Sequence, residues 1–289
     1  MAKIDTMIAE LNELRVSENQ ILEKVWNHSQ VASDADAELL SAENIQKRVE
    51  ALAIQIIKEC QEGLPPVLVG VLDGVTPFAN MLCDELKARS FEYIRSDMQA
   101  GSYGKNTEAG KLTLGPLPKA RLSGRKVYLL DDVCDTGETL KAIKEELSKQ
   151  HPKGDITLVA LVEKDLEKDK PIKLNVEIEL ENGKKYKKVC RSNLQGFRLE
   201  RDAFLIGFGM DYREGLRHKG DIRIANLSVL TAEDKLVFKR IDELEKLIDV
   251  AIEFEKDSQK LRAPGDNSIF GMAAPTTSAT SGFEPRMKQ

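Results

Sequence analysis

Three continuous apolar runs constrain this chain more than any other feature: VLVGVL (Val67–Leu72), the YLL of KVYLLDD (126–132) and the LVALV of DITLVALVE (155–163). Runs of this length without polar alternation fit strands buried on both faces, the habit of parallel sheets. Between them TPFANMLCDELKA and ETLKAIKEELSK carry helical patterns, and FEYIRS (91–96) offers one more strand. Parallel strands need crossover connections, so this alternation predicts an α/β fold, a doubly wound, mainly parallel sheet with helices on both faces.

Helical segments flank that pattern. Ile4, Met7, Ile8, Leu11 and Leu14, then Ile21, Leu22 and Val25, share one helical face and predict a helix over 4–32. A second helix is expected from Ser41, with Ser41 and Asn44 as caps and Ile45, Val49, Leu52, Ala53 and Ile56 as its stripe, ending at Gly63. Near the other end Val237, Ile241, Leu244, Ile248 and Ala251 follow a 4-3-4-3 spacing close to a heptad seam. Residues 97–110 hold three glycines and few apolar side chains and predict a mobile loop. Strict alternation around Asn182-Gly183 predicts a β-hairpin at about 171–192, with a two-residue turn placing Glu181 opposite Lys184 and Glu177 opposite Lys188. The expected organisation is a helical extension (1–40), an α/β domain (41–230) carrying the hairpin, an amphipathic helix (231–262) and a disordered tail (263–289) rich in Pro, Gly, Ser, Thr and Ala.

Charge and cysteine usage narrow the function classes. With 43 basic and 48 acidic side chains the formal charge is −5, which disfavours a surface that coats nucleic acid or an anionic membrane. No apolar run approaches the roughly 18 residues of a membrane span, and MAKIDTMIAELNEL lacks the order of a secretory signal. Four cysteines without CxxC or metal spacing point to reduced, packed thiols. A cytoplasmic protein without membrane or nucleic-acid partners is expected.

YLLDDVCDTGET (128–139) carries the chemistry. A buried strand ends in Asp131 and Asp132; a third acid, Asp135, then precedes Thr136, Gly137 and Thr139 at the start of a helix. Helix N-termini present free amides and a positive dipole end, so the Thr/Gly turn is an anion cradle. Three acids beside it would repel a bare phosphate unless they grip sugar hydroxyls or a hydrated magnesium. Helix capping alone needs one short polar residue, not three acids.

The stretch resembles the phosphoribosyl pyrophosphate (PRPP) signature of type I phosphoribosyltransferases, and the resemblance widens on both sides. LVGVLDGVTPF looks like that family's pyrophosphate loop and SYG (102–104) like its mobile loop. ALVEK, AFLIGFGMDY and Arg217 look like the purine pocket of the hypoxanthine-guanine members. The resemblance implies transfer of the phosphoribosyl group from PRPP to a 6-oxopurine, with Mg2+ as cofactor, in a domain with a small hood. It implies Asp135 as acid/base partner of purine nitrogen seven, Ser102 and Tyr103 as a closing loop, and Asp131 and Asp132 on the ribose hydroxyls, directly or with metal. Thr136, Gly137 and Thr139 would hold the 5-phosphate, and Asp73, Gly74 and Arg217 the pyrophosphate. Lys164 would donate to the six-oxygen, Phe204 stack on the base, Leu205 offer backbone hydrogen bonds, and Asp211 hold a second magnesium.

Two departures stand out. Asp73 occupies a position of the pyrophosphate loop where the family carries lysine, and the family's cis peptide would fall at Leu72-Asp73; the hairpin also lengthens the link between Lys164 and Phe204. A PRPP-sensing regulator on the same fold is the alternative reading, disfavoured because a sensor has no need of Lys164, Phe204 and Asp211 together. The terminal helices are expected to pack on each other, within or between subunits, and to support a homo-oligomer, dimer or tetramer.

Overall fold

The structure is a computed structural model and describes residues 2–34, 38–101, 113–115, 122–135, 137–150, 155–164, 177–179, 185–187, 192–200 and 203–262. In chain order the elements are α1 (Ala2–His28), β1 (Gln30–Val31), α2 (Ala42–Glu59), β2 (Val67–Leu72), α3 (Thr76–Ala88), β3 (Ile94–Arg95), β4 (Met98–Gly101), β5 (Thr113–Leu114) and β6 (Val127–Cys134). They continue with α4 (Glu138–Gln150), β7 (Ile156–Lys164), β8 (Glu177–Glu179), β9 (Lys185–Lys187), β10 (Leu194–Leu199), β11 (Leu205–Ile206), β12 (Arg223–Ile224) and α5 (Ala232–Arg262).

The central sheet runs β10-β7-β6-β2, with β3 and then β4 along the far edge of β2. These pairings are all parallel; β5 closes the edge antiparallel to β4. Alternation along each buried strand explains the two helical layers. Leu68, Tyr128, Leu130, Val159 and Leu161 face a core shared with Ile45, Val49 and Ile56 of α2 and Phe78, Leu82 and Leu86 of α3. Val67, Val69, Leu129, Leu158 and Ala160 face the opposite core with Leu140, Ile143 and Leu147 of α4. Each such aliphatic side chain contributes about 1.5–3 kcal/mol when fully buried, and both sheet faces draw on it. A doubly wound sheet is therefore the fold, accompanied by a small antiparallel sheet in the order β1-β12-β11.

Helix boundaries follow local chemistry. Ser41 caps α2 by accepting the Asn44 amide, at 3.4 Å. Thr231 and Asp234 form a reciprocal capping box at the start of α5, each side chain accepting the other's backbone amide. Asp234 also receives Lys24 of α1 at 2.7 Å, and these hydrogen bonds, Lys24 foremost, hold its carboxyl at about 2.

Several local expectations are corrected. The first helix stops at His28, where the Ser29 hydroxyl turns back and donates to the Val25 carbonyl, at 2.6 Å. The strand expected over 91–96 is reduced to β3. Part of the segment expected as a loop is β4: Met98 is only 2% exposed, because the free edge of β2 supplies a hydrogen-bonding partner that composition does not reveal. In the hairpin, Glu177 lies opposite Lys187 and Glu179 opposite Lys185, one residue from the expected register. Opposite charges still face one another at Glu177–Lys187 and Glu179–Lys185. Asn182, Gly183, Glu181, Lys184, Lys188 and the 263–289 tail lie outside the described residues.

The chain divides into two units, Arg15–Phe238 and a smaller one made of Met1–Leu14 with Lys239–Gln289. The larger contains all three sheets, the β8-β9 pair included. In the smaller, Arg240 forks onto Glu10 at 2.7 and 3.0 Å, joining α1 to α5 within one chain, and Ile241, Leu244 and Ile248 are buried.

Candidate active site

Parallel strands deliver their C-terminal ends to one edge of the sheet, and the functional side chains gather there. From β2 the chain passes through a cis peptide at Leu72-Asp73 into the Asp73-Gly74 turn, which leads into α3. From β6 come Asp131 and Asp132, then Asp135 and Gly137 at the entrance to α4. Gly137 is buried with φ 74°, a left-handed geometry that glycine alone adopts at no steric cost, and its carbonyl accepts the Lys141 amide at 2.9 Å. Thr139 lies in the first turn of α4, partly buried. Thr136, Ser102 and Tyr103 lie outside the described residues.

The register of β6 on β7 pairs Cys134 with Glu163, so the next residues on each strand, Asp135 and Lys164, meet at the sheet edge. Lys164 Nζ lies 2.8 Å from Asp135 Oδ2, with the lysine side chain largely covered and the aspartate open to solvent. Glu163, buried just before Lys164, accepts the Ser192 amide at 2.9 Å and the Ser192 hydroxyl, which pins the strand end carrying the lysine.

Close backbone approach brings a third segment to the same place. A Cβ at Gly74 would stand 2.1 Å from Asp132 Oδ2, and one at Gly209 would stand 2.0 Å from the Gly74 carbonyl oxygen. The Asp73-Gly74 turn, the β6 acids and the 207–211 segment can converge only because both positions lack side chains. Past Gly209, Asp211 pairs with Arg217 at 2.8 Å and accepts the Glu214 amide at 2.8 Å, while Arg217 Nη1 donates to the Gly209 carbonyl at 2.6 Å. Arg213, Glu214 and Leu216 in this turn take positive φ values of 53°, 62° and 67°, strain of order 1–3 kcal/mol each.

Phe204 is 51% exposed, which removes it from the core, while Leu205 beside it is buried in β11. Phe204 meets Tyr212 edge-on, with centroids 5.9 Å apart. Cys134 is buried in the α4-side core, in keeping with a packing role. Two residues escaped the sequence reading. Gly209 was signalled only by the Gly-Phe-Gly of AFLIGFGMDY, and Tyr212 only as the last residue of the same stretch, with no role assigned to either.

Electrostatics set the acids apart. Burial, reinforced by the neighbouring Asp132 charge, holds the Asp131 carboxyl well above the usual aspartate range. Burial raises Asp132 too, partly offset by backbone amides and the Arg217 charge. A buried like-charged pair is costly unless a cation joins it. Its hard oxygen donors suit Mg2+, which commonly takes one or two carboxylates and completes its shell with water and substrate phosphate. Among the described residues no group of three acids, histidines or cysteines could hold a metal unaided, and Asp211 is engaged with Arg217 rather than joined to Asp131 and Asp132. The residues therefore fit a magnesium shared with a phosphorylated ligand, and do not fit a self-contained metal cage.

Residues 36–210 match the phosphoribosyl transferase domain. The chain is 31% identical over 196 residues to the bifunctional protein TilS/HprT of Listeria monocytogenes, a match that takes in 67% of this chain and spans 26% of that protein's length. It is 30% identical over 182 residues to the hypoxanthine-guanine phosphoribosyltransferase of Lactococcus lactis, covering 62% of this chain and 85% of the relative. The fold superposes on hypoxanthine phosphoribosyltransferase from Trypanosoma cruzi, in complex with the product IMP, with a TM-score of 0.54 and 21% identity over 66% of this chain and 95% of that one. A sheet edge that assembles Asp73-Gly74, the Asp131–Asp132 pair and Lys164 is thus carried by a chain that belongs to the phosphoribosyl transferase family, as a type I member resembling the hypoxanthine-guanine enzymes.

Proposed function

We propose that the protein transfers the 5-phosphoribosyl group of PRPP to a 6-oxopurine, hypoxanthine or guanine, releasing the nucleoside monophosphate and pyrophosphate. The observation that carries this reading is the Lys164–Asp135 pair, an ammonium donor 2.8 Å from a carboxylate acceptor at the sheet edge. On a 6-oxopurine the six-oxygen accepts while the neighbouring N7–H donates, so the pair matches that edge in order. Adenine presents an amino donor in place of the oxygen, and an ammonium facing it would go unpaired.

Lys164 holds the six-oxygen and Asp135 takes the purine proton as the ring's other nitrogen bonds to the anomeric carbon and the carbon–pyrophosphate bond breaks. Phe204 supplies a stacking face for the base, and Leu205 backbone hydrogen bonds. The first turn of α4, with Thr136, Gly137 and Thr139, offers amides to the 5-phosphate. Asp131 and Asp132 accept from the ribose hydroxyls, and the amides of Asp73 and Gly74 with Arg217 orient the pyrophosphate. Magnesium, when bound, would supply positive charge to the departing pyrophosphate; Asp131 and Asp132 would hold one ion and Asp211 a second. Ser102 and Tyr103 belong to the same reading as the segment that excludes water.

The regulator alternative finds less support, since Lys164 and Asp135 face a base that a PRPP sensor does not hold. A homo-oligomer remains part of the proposal, supported by Leu247, Val250 and Phe254, which leave an exposed apolar stripe on α5. A cytoplasmic setting is supported by the free thiols of Cys60 and Cys83; no helix among the described residues is long and apolar enough to cross a membrane. Purified protein with PRPP, Mg2+ and each of hypoxanthine, guanine, xanthine and adenine tests the reading: monophosphate and pyrophosphate should form in equal amounts from hypoxanthine or guanine. Adenine as the preferred base, or no transfer to any base, would overturn it.

A further inference from the structure

The 211–217 turn that sets Asp211 against Arg217 runs through three left-handed non-glycine residues, Arg213, Glu214 and Leu216. Such conformations persist only where the surroundings over-determine them. Here the surroundings come from the helical extensions. Glu18 of α1, only 3% exposed, accepts Arg213 Nε at 2.9 Å and also pairs with Arg15. The Arg213 guanidinium lies over the Phe238 ring of α5, 4.4 Å from its centroid, and donates to the Phe238 carbonyl at 3.4 Å. Leu22 fills the space where a Cβ at Gly215 would stand, its Cδ1 2.4 Å away, and Leu216 is buried with Leu22, Val25 and Trp26. Tyr212 bridges Phe204 and Phe238 edge-on, at 5.9 and 6.0 Å.

We infer that Glu18 is a positioning residue for the Asp211–Arg217 pair: its buried carboxylate holds Arg213, and through it the left-handed turn, so that the first helix of the chain is part of the pyrophosphate-binding apparatus. The charge is needed as well as the packing. Leu22 and Trp26 give the turn apolar cover, which carries no direction, whereas a carboxylate meeting a guanidinium fixes where Arg213 points.

With Arg217 assigned to pyrophosphate, on which this role rests, Glu18→Gln should raise the KM for PRPP about tenfold, a loss of ~1.4 kcal/mol. The dissociation constant of pyrophosphate, measured calorimetrically with Mg2+, should rise by the same factor while the KM for the purine stays within about twofold. Arg213→Gln should reproduce the shift, and the double variant should be no worse than the poorer single one, since both break one interaction. A merely structural role would instead lower the active fraction and leave both constants unchanged. If Glu18→Gln does not fold, Glu18→Asp, with the charge kept and the reach shortened, should give a smaller shift of the same two constants. The titration separates the two claims. Pyrophosphate binding without purine turnover in the unmodified protein would overturn the proposed function and still test Glu18. Unchanged pyrophosphate affinity in the variants would overturn the role of Glu18 alone, and no pyrophosphate binding by the unmodified protein would overturn both.

Discussion

The two ends of strand β6 treat charge in opposite ways. Near its start the Tyr128 hydroxyl donates to Glu59 at 2.9 Å, Lys126 reaches the same carboxylate at 3.0 Å, and the Cys60 thiol lies 3.2 Å from the tyrosine oxygen. Burial alone would raise the Glu59 carboxyl, but these hydrogen bonds outweigh it and hold Glu59 below the usual range. Three residues after Tyr128 the same strand sets Asp131 beside Asp132, and both carboxyls are pushed up. One end is paired for stability and the other is left costly. Buried acids of one sign in a structured strand are what a site looks like when a ligand, and not the protein, brings the compensating charge.

That contrast can be broken by substitution at either end. The largest effect is expected at Asp135. Asp135→Asn should lower turnover by about 10²- to 10⁴-fold, the usual range for a lost general acid or base, with PRPP affinity and melting temperature little changed. Steady-state kinetics beside PRPP titration checks this, and normal turnover would remove Asp135 from the proposed chemistry. Next comes Lys164→Met, which should erode the preference for hypoxanthine over adenine. A donor left without its acceptor costs about 1–3 kcal/mol, or roughly 5- to 150-fold in the ratio of kcat/KM values. At the opposite end Tyr128→Phe should cost about 1.5–3 kcal/mol of stability, as for a hydrogen bond to a charged group, and several degrees of Tm, with kcat unaltered. Loss of activity without loss of Tm in that variant would erase the distinction between the ends.

Acid titration sharpens the comparison further. Glu59 has a lowered folded pKa, so its contribution is present above its ordinary value of 4.5 and is lost as pH falls through the folded value. Asp131 and Asp132 have raised folded pKa values. Their contribution is present below the ordinary 3.8 and is lost as pH rises toward the raised folded values, so the ligand-free protein loses stability from this pair as the pH is raised.

Much of this arrangement was legible in the sequence because strong local patterns agreed with the fold. β2 and α3 coincide with the apolar run and the helical stripe that foretold them, and the acids of the site follow directly from a strand meeting a helix. β4 was not legible, since its short MQAG run becomes a strand only once β2 and β5 are beside it. The hairpin register slipped by one residue because alternating charge constrains which strands pair more than how the turn between them is built. Glu18 was least legible of all. In sequence it is one polar residue on an amphipathic helix, and its partner Arg213 lies 195 positions away.

The most direct test of the contrast is the melting temperature of the unmodified chain against the Asp131→Asn, Asp132→Asn double variant, with and without Mg2+ and PRPP at pH 7. Without ligand the variant should melt higher, because it removes the cost of ionising two buried neighbouring carboxyls, and the gap should narrow as the pH is lowered toward their ordinary range. With Mg2+ and PRPP the order should reverse, since only the unmodified chain gains the stabilisation of ligand binding. A variant that melts lower than the unmodified chain in the absence of ligand, or one that is stabilised equally by Mg2+ and PRPP, would contradict the assignment of this end of the sheet to a cation-bearing ligand.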